Sequence, residues 1–285
     1  MRGLQTPVRA IRRQVFTEVA KLGFKANAET LVADMEAIPY EIVGEDSEVK
    51  YRESIYRARA VVRERLRLAM GLSLRPENKP VHLTAGVEAS NISEKYYEPP
   101  LMQVIPSGCE SCEENKYEVS NVCKGCLAHP CQEVCPRGAI SMVNGKSFID
   151  QDKCIKCGKC KSVCPYDAIA KKERPCKKAC GVNAITSDKL GRAYIDADKC
   201  VSCGMCMVSC PFGAISDKSQ IFQLARALSE GEEIVAEVAP AFVGQFGPNI
   251  NVRNFKAALE ELGFSETYEV ALERISEQLR KHIIM

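Results

Sequence analysis

Cysteine is the residue type in this sequence whose number and spacing could do chemistry. The chain has 285 residues and 16 cysteines, all of them between Cys109 and Cys210. Disulfide-dense proteins are small secreted domains whose cores are too poor to fold without bridges. This chain is several times larger, and its first residues lack the apolar segment and small-residue cleavage site of a signal peptide. The local clustering therefore predicts metal ligation in a reducing compartment, the cytoplasm.

Two stretches of the cysteine region repeat nearly the same sequence. They run from Ile149 to Ile169 and from Ile195 to Ile215, and each contains Cys-x2-Cys-x2-Cys-x3-Cys-Pro. This is the spacing of bacterial ferredoxins, in which three close thiolates bind one [4Fe–4S] cubane and the fourth cysteine binds the neighbouring cubane. A zinc site needs only isolated Cys-x2-Cys pairs and does not explain the Cys-Pro.

The tail Cys-[Pro/Gly]-x-x-Ala-Ile occurs twice more, at Cys135 and Cys180. The first of these tails follows a complete set of three cysteines. The second lacks the leading Cys-x2-Cys, whereas a Cys-x2-Cys without a tail occurs upstream at Cys109 and Cys112. A nested arrangement removes both defects: an outer two-cluster ferredoxin module is interrupted by an inner one, residues 113–175.

Exchange of the fourth ligand between halves then assigns all 16 cysteines to four [4Fe–4S] clusters. The inner clusters are held by Cys123, Cys126, Cys131 and Cys164, and by Cys154, Cys157, Cys160 and Cys135. The outer clusters are held by Cys109, Cys112, Cys176 and Cys210, and by Cys200, Cys203, Cys206 and Cys180. Gly181 stands where proline is usual, and we expect Cys180 to remain a ligand. His129 can ligate iron in principle, but no cluster lacks a thiolate, so we interpret it as loop packing.

A cubane with four cysteine ligands has no open iron site, so it transfers one electron at a time. The sequence contains no P-loop, no G-x-G-x-x-G fingerprint and no nucleophile–base constellation, and no catalytic residue is predicted. The net charge of +2 gives no case for nucleic-acid binding, and no apolar run is long enough to cross a bilayer. The predicted function is an electron relay with a redox protein as donor or acceptor.

Lysines surround the predicted cluster ligands. Each oxidised cubane with four thiolates carries about −2, so bound clusters are the largest local charges. We expect some of these lysines to offset that charge, although solvated loop positions are the alternative. They are Lys153, Lys156, Lys159, Lys161, Lys171, Lys172, Lys177, Lys178 and Lys199.

The sequence predicts that residues 1–100 are mainly helical. Apolar residues at three- and four-residue steps predict a helix from Thr6–Pro7 to Gly23. A short helix is predicted over Ala28–Ala37, and a third from Arg52 to Met70. The third helix carries six arginines. They are interpreted either as a solvated face or as a docking surface, for an acidic partner or for an electron-rich cofactor domain in the same chain.

Residues 219–285 contain no cysteine and have the pattern of an ordinary globular sequence. A strand at Ile234–Val238, a helix at Val252–Leu262 capped by Gly263, and a strand at Thr267–Ala271 form a β-α-β fragment that is too small to be a domain alone. The predicted fold class is α+β. It comprises a helical N-terminal region (1–100), a four-cluster ferredoxin-like domain (101–218) and this C-terminal fragment (219–285).

Three parts of the chain resemble the clostridial type of monomeric [FeFe]-hydrogenase. The N-terminal region does so through Met1-Arg-Gly-Leu-Gln-Thr-Pro-Val-Arg9 and through Tyr51–Gly71, and the cysteine segment resembles the ferredoxin-like relay of that family. Glu233–Ala241 and Phe255–Phe264 are similar to the opening of its catalytic domain. The resemblance covers roughly residues 1–271 and implies anaerobic, hydrogenase-linked electron transfer.

The sequence departs from that family at the catalytic cluster. The family holds this cluster by cysteines in motifs of the types T-S-C-C-P, P-C-x-x-K and M-A-C-x-G-G-C, and no cysteine follows Cys210. The resemblance therefore implies a hydrogenase interrupted early in its catalytic domain. Two hypotheses follow: an electron-transfer polyferredoxin that supplies a separate catalytic chain, or a fragment or subunit of a hydrogen-forming enzyme that is inactive alone.

Overall fold

The computed structural model describes residues 5–25, 29–45, 52–91, 99–247 and 249–270. The chain divides into two compact units. The cysteine unit comprises Pro99–Asp217 with the chain's first residues as far as Val8, and the helical unit comprises Arg9–Glu98 and the chain from Lys218 onward. No helix of the described residues is both long and apolar enough to cross a membrane.

Ten helices and ten strands are described in chain order. The helices are α1 (Pro7–Lys25), α2 (Leu31–Ile42), α3 (Ile55–Ala69), α4 (Val87–Ser90), α5 (Pro130–Glu133), α6 (Lys159–Ser162), α7 (Pro175–Lys178), α8 (Met205–Ser209), α9 (Ile221–Glu230) and α10 (Val252–Glu261). The strands are β1 (Met102–Val104), β2 (Lys116–Val119), β3 (Ile140–Val143), β4 (Lys146–Ile149), β5 (Ile169–Lys172), β6 (Ile185–Ser187), β7 (Ala193–Ile195), β8 (Ile215–Asp217), β9 (Val235–Val238) and β10 (Glu266–Glu269). Short 3₁₀ turns occur at Pro106–Gly108 and Pro240–Phe242.

The cysteine unit consists of elements of three to five residues, and its strands pair in a nested order. Strand β1 pairs antiparallel with β8, and β6 pairs with β7. Between β1 and β6 in the sequence, β2 pairs antiparallel with β5, and β3 pairs with β4. The outer strand set is β1, β6, β7 and β8, and the inner strand set is β2, β3, β4 and β5. In each set the two middle strands form a hairpin and the first strand pairs with the last.

Each strand set has a small core of its own. One core contains Met102, Ile185 and Ile215 of the β1–β8 and β6–β7 set together with buried cysteines. The other contains Tyr117 and Ile169 of the β2–β5 pair, again with buried cysteines. Both cores are therefore built around thiol groups.

The helical unit packs around a conventional apolar core. Helices α1, α2, α3 and α9 supply most of its fully buried side chains, among them Val19, Met35, Leu66 and Phe222. The buried amide of Gln223 donates to the backbone carbonyls of Met70 (3.1 Å) and Ser90 (2.9 Å). Residues beyond the cysteine unit thus complete the core of the N-terminal helices.

Gly23 does not end the first helix, contrary to the prediction. Helix α1 continues to Lys25, because Gly23 lies against α9. A Cβ atom at this position would come within 2.6 Å of the Ala225 Cβ and 2.7 Å of the Phe222 carbonyl oxygen. Glycine here permits close helix packing. The second helix begins at Leu31 and extends to Ile42, and the predicted start at Ala28 lies outside the described residues.

The arginines of α3 form neither a simple solvated face nor a continuous docking surface. Arg67 is buried and donates hydrogen bonds to the carbonyls of Ser73, Leu83 and Ala85. Arg59 lies over the Tyr40 ring at 4.5 Å. These guanidinium groups tie α3 to neighbouring segments.

The C-terminal β-α-β prediction agrees with the described residues. Strands β9 and β10 pair in parallel through residues 235–238 and 266–269, and α10 connects them. The Asn251 side chain caps α10 by accepting from the Asn254 N–H at 2.9 Å. The predicted end of the second strand, Ala271, lies outside the described residues.

Candidate metal centre

Four short helices place one buried cysteine each in the same position. In α5, α6, α7 and α8 the second residue is a cysteine. These residues are Cys131, Cys160, Cys176 and Cys206, exposed by only 6–8%. Cys176 therefore occupies the position of a third ligand although no Cys-x2-Cys directly precedes it in the sequence.

Four Cys-x2-Cys turns share one backbone feature. The residue before the second cysteine has a left-handed conformation in every turn, an arrangement that non-glycine residues adopt rarely. These residues are Ser111 (φ 47°), Gly125 (φ 58°), Lys156 (φ 59°) and Ser202 (φ 55°). The isolated pair Cys109 and Cys112 thus has the backbone of the three pairs that belong to longer cysteine runs.

The four cysteine tails also repeat in three dimensions. In each tail the alanine four residues after the cysteine donates its N–H to that cysteine's Sγ: Ala139 to Cys135 (3.3 Å), Ala168 to Cys164 (3.4 Å), Ala184 to Cys180 (3.3 Å) and Ala214 to Cys210 (3.4 Å). The residue before the alanine is left-handed in all four, at Gly138, Asp167, Asn183 and Gly213. Gly181, where proline is usual, leaves this geometry unchanged.

Three cavities are each lined by four of the cysteines. The first is lined by Cys109, Cys112, Cys176 and Cys210. The second is lined by Cys123, Cys126, Cys131 and Cys164. The third is lined by Cys180, Cys200, Cys203 and Cys206. In each cavity a tail cysteine from one half of a strand set meets three cysteines from the other half.

The remaining four cysteines lie in the inner strand set. Cys160 is buried in the core to which Cys135 and Cys154 also pack. Burial raises the pKa of the Cys160 thiol, and the neighbouring Cys154 and Cys157 raise it further by charge repulsion. The structure thus brings Cys154, Cys157 and Cys160 together, with Cys135 against the same core.

The donor set fits an iron–sulfur cluster. All 16 cysteines are free thiols. Burial raises the pKa of Cys176 to about 12 and that of Cys206 to about 11. Iron binds the thiolate, so cluster assembly must displace these protons. In the described parts of the chain, no three His, Cys, Asp or Glu side chains are arranged to hold a single metal ion; in a cubane each thiolate binds a different iron.

Arg174 joins the two ends of residues 113–175. It is almost completely buried, and its Nε and Nη2 donate to the Cys112 carbonyl at 3.0 and 2.8 Å. Nη2 also donates to the Gly191 carbonyl at 2.7 Å, and Nη1 pairs with Glu114 at 3.0 Å. The sequence prediction missed this residue, whose one signal is its place directly before Pro175.

The nine lysines near the cysteines divide into two groups. Six make ion pairs, namely Lys153, Lys171, Lys172, Lys177, Lys178 and Lys199. The other three, Lys156, Lys159 and Lys161, are exposed and have no ion-pair partner among the described residues. Three of the nine, all without an ion pair, therefore lie beside Cys157 and Cys160.

His129 precedes α5 in a left-handed conformation, with φ of 41°. Its backbone N–H donates to the Cys126 carbonyl at 3.2 Å. This contact places the residue in the turn between two predicted ligands, and its role in loop packing stays a prediction.

Comparison with known families identifies part of the cysteine unit. A family model for the 4Fe-4S binding domain matches residues 148–170 and 193–216, the two stretches with unbroken ferredoxin spacing. The chain contains two ferredoxin-type 4Fe-4S binding domains. The two other groups of cysteines, which begin at Cys109 and Cys123, lie outside the matched residues.

Relatives of part of the chain are named as a ferredoxin, an iron-sulfur subunit and an electron transport protein. The chain is 38% identical over 65 residues to an uncharacterised ferredoxin of Methanocaldococcus jannaschii, covering 23% of this chain and 39% of that protein. It is 41% identical over 69 residues to a probable iron-sulfur protein of the Frd operon of Proteus vulgaris (24% and 44%). It is 43% identical over 56 residues to the electron transport protein HydN of Escherichia coli (20% and 32%). The chain thus spans less than half the length of each.

Proposed function

We propose that this chain is an electron-transfer protein that binds four [4Fe–4S] clusters. The observation that carries the proposal is the fourfold repetition of one ligand frame: a left-handed Cys-x2-Cys turn, a buried cysteine at the second position of a short helix, and a cysteine tail closed by an alanine N–H. Four copies of each part give four complete ligand sets, although the family model covers only two halves.

The proposed ligand sets follow the cysteines that line each cavity. The inner clusters take Cys123, Cys126, Cys131 and Cys164, and Cys154, Cys157, Cys160 and Cys135. The outer clusters take Cys109, Cys112, Cys176 and Cys210, and Cys200, Cys203, Cys206 and Cys180. Three of the four sets correspond to cavities lined by those same cysteines.

We further propose that the two modules are nested, with residues 113–175 inserted into the outer module. The nested strand pairs support this arrangement, since β2–β5 lies between β1 and its partner β8. Arg174 supports it as well, because it holds the Cys112 carbonyl beside Cys176 across an excursion of more than 60 residues. Because Arg174 holds the two ends of the insert close together, the insert does not displace the proposed outer ligands.

A bound cubane supplies one-electron chemistry, and the chain's own groups tune it. The four alanine N–H groups that point at cysteine Sγ atoms stabilise the more negative, reduced state, and hydrogen bonds of this kind raise reduction potentials. Burial raises the pKa of Cys112 and Cys176, and the positive charge of the Arg174 guanidinium partly opposes that rise. This positive charge favours added negative charge at the same ligand set.

The names of the relatives support a redox protein as partner, because HydN is an electron transport protein. A second candidate is narrower: this chain is the electron-input part of an [FeFe]-hydrogenase whose catalytic cluster is held by other residues. The observation in its favour is that the resembling segments Glu233–Ala241 and Phe255–Phe264 coincide with β9 and α10 of a parallel β-α-β unit. Within these 285 residues no cysteine follows Cys210, so we expect no hydrogen chemistry from them.

The proposal is tested by metal analysis and reduction of anaerobically prepared protein. We expect about 16 iron and about 16 sulfide per chain, and bleaching of the visible absorption band by reduced viologen without hydrogen evolution. About 8 iron per chain would contradict the four-cluster proposal. Sustained hydrogen production after treatment with hydrogenase maturation factors would overturn the assignment as a relay.

The nesting is tested by replacing residues 113–175 with a short linker. We expect a folded protein with about 8 iron on the outer ligand sets. A matched deletion of the same length that starts at residue 123 also removes Cys176 and Cys180, which are proposed outer ligands, so it should lose outer clusters too. Equal iron loss in both variants would contradict the nested arrangement.

A further inference from the structure

The two exposed cysteines mark where clusters come nearest to the surface. Cys157 and Cys203 are exposed, whereas the other 14 are buried or half-buried. Both are the middle cysteine of a Cys-x2-Cys-x2-Cys run. Cys157 belongs to the inner module and Cys203 to the outer one, so the same point on the repeated frame reaches solvent twice.

The surroundings of these two cysteines differ in charge. Residues 150–163 contain four lysines and two aspartates, whereas the equivalent residues 196–209 contain one lysine and two aspartates. The difference comes from three positions. Lys156, Lys159 and Lys161 of the inner loop correspond to Ser202, Met205 and Met207 of the outer loop.

These three lysines, here called the lysine face, carry charge that the protein does not neutralise. Their side chains are exposed, and none has an ion-pair partner in the described chain. Lys153 on the same loop pairs with Asp150 at 3.6 Å, which leaves Asp152 as the one carboxylate on the loop without a lysine partner. Elsewhere Lys124 and Lys146, near Cys123, also make none of the ion pairs described, but the loop at Cys157 is where three such lysines lie within six residues.

An exposed apolar residue lies beside the lysine face, and the backbone of one of its lysines has an unfavourable conformation. Ile155, between Cys154 and Lys156, is 58% exposed. Lys156 itself is left-handed, at a position where the other three turns have glycine or serine. A left-handed lysine is less favourable than glycine at such a position, so its presence there is not explained by backbone geometry.

We propose that the lysine face is the docking surface for an acidic redox protein that exchanges electrons with the cluster at Cys157. This inference rests on the proposed function. Interfaces with a buried apolar contact and complementary charge at the rim combine affinity with fast, salt-sensitive association. One electron passes from the reduced partner to the oxidised cluster, and the outer loop, which lacks these lysines, does not serve this class of partner.

The test uses the full chain with its clusters and an acidic flavodoxin as probe. The anionic flavodoxin hydroquinone gives one electron to one oxidised cluster and becomes the neutral semiquinone, whose absorbance is distinct. The variant Lys156→Ser/Lys159→Met/Lys161→Met gives the inner loop the residues of the outer loop. We expect its bimolecular rate constant to fall about tenfold at low ionic strength, with a weaker salt dependence.

A matched control removes the same charge elsewhere in the unit. Lys171→Met/Lys172→Ser/Lys178→Met removes three exposed lysines that make ion pairs, and we expect its rate constant to change less than twofold. The double variant Lys159→Met/Lys161→Met keeps the left-handed residue and should show an intermediate loss. Titration calorimetry with oxidised flavodoxin gives a readout without electron flow, and the affinity should fall in the same order.

Reduced viologen separates this proposal from the proposed function. If viologen bleaches all variants alike and only the lysine-face variants lose flavodoxin rate and affinity, the docking proposal stands. If viologen bleaches all variants but the lysine-face and control triples slow flavodoxin equally, the charge acts non-specifically and the docking proposal is wrong. If viologen bleaches none of them, including the unchanged chain, the proposed electron-transfer function itself fails.

Discussion

The cores of the cysteine unit and of the helical unit differ in composition. The helical unit buries large side chains such as Leu66 and Phe222 from four helices. The cysteine unit has elements of at most five residues, and its two cores each combine a few apolar side chains with buried cysteines. The helical unit therefore has an apolar core supplemented by buried hydrogen bonds, such as those of Gln223, whereas the cysteine unit has little apolar burial apart from its thiols.

Removal of iron should produce the largest difference in stability between the two units. Because each proposed cluster joins segments distant in sequence, cluster binding is coupled to folding of the cysteine unit. We expect chelation under reducing conditions to abolish its protection from proteolysis while the helical unit stays protected. Limited proteolysis with mass spectrometry measures both; unchanged protection of residues 99–217 would show that the small cores suffice.

The substitution Cys109→Ala should remove one outer cluster and spare the inner pair. The expected loss is about 4 of about 16 iron, because Cys109 shares a cavity with Cys112, Cys176 and Cys210. Cys123→Ala is the matched control and should remove one inner cluster instead. Cluster spectra that change identically in the two variants would argue against separate inner and outer ligand sets.

The substitution Gly23→Ala should weaken the helical unit alone. A methyl group at this position overlaps the Ala225 Cβ and the Phe222 carbonyl oxygen, and overpacking of this kind costs about 1–3 kcal/mol. Thermal unfolding should show a lower midpoint for the helical unit, with iron content unchanged. Gly44→Ala is the control, since a Cβ atom there contacts only the Tyr40 carbonyl at 3.9 Å.

The substitution Gly181→Pro should have the smallest effect. It restores the usual proline after a tail cysteine, no atom lies within 4 Å of a Cβ at this position, and the hydrogen bond from Ala184 to Cys180 is already formed. Iron content should not change, and the stability of the cysteine unit should change by less than about 0.5 kcal/mol. Loss of about 4 iron would show that glycine is required at this tail.

Much of the candidate site was predictable because ligand spacing is local. The runs at Cys154 and Cys200 specify their turns within a few residues, and a family model matches both. The prediction failed where a residue's role depended on a distant neighbour. Local sequence predicts a helix end at Gly23, because the contact of Gly23 with α9, about 200 residues away, leaves no local trace. The contacts of the α3 arginines with Tyr40 and Leu83 are likewise not visible in the local pattern.

The sequence by itself determined that the chain has iron-binding cysteine runs and a C-terminal β-α-β unit, because both patterns repeat over short distances. Only the tertiary structure decided which lysines stay unpaired, how Arg174 holds Cys112, and which cysteines line one cavity. These properties depend on groups that are far apart in the chain. Charge pairing and hydrogen bonding act through space over a few ångströms, so they are fixed only when folding brings those groups together.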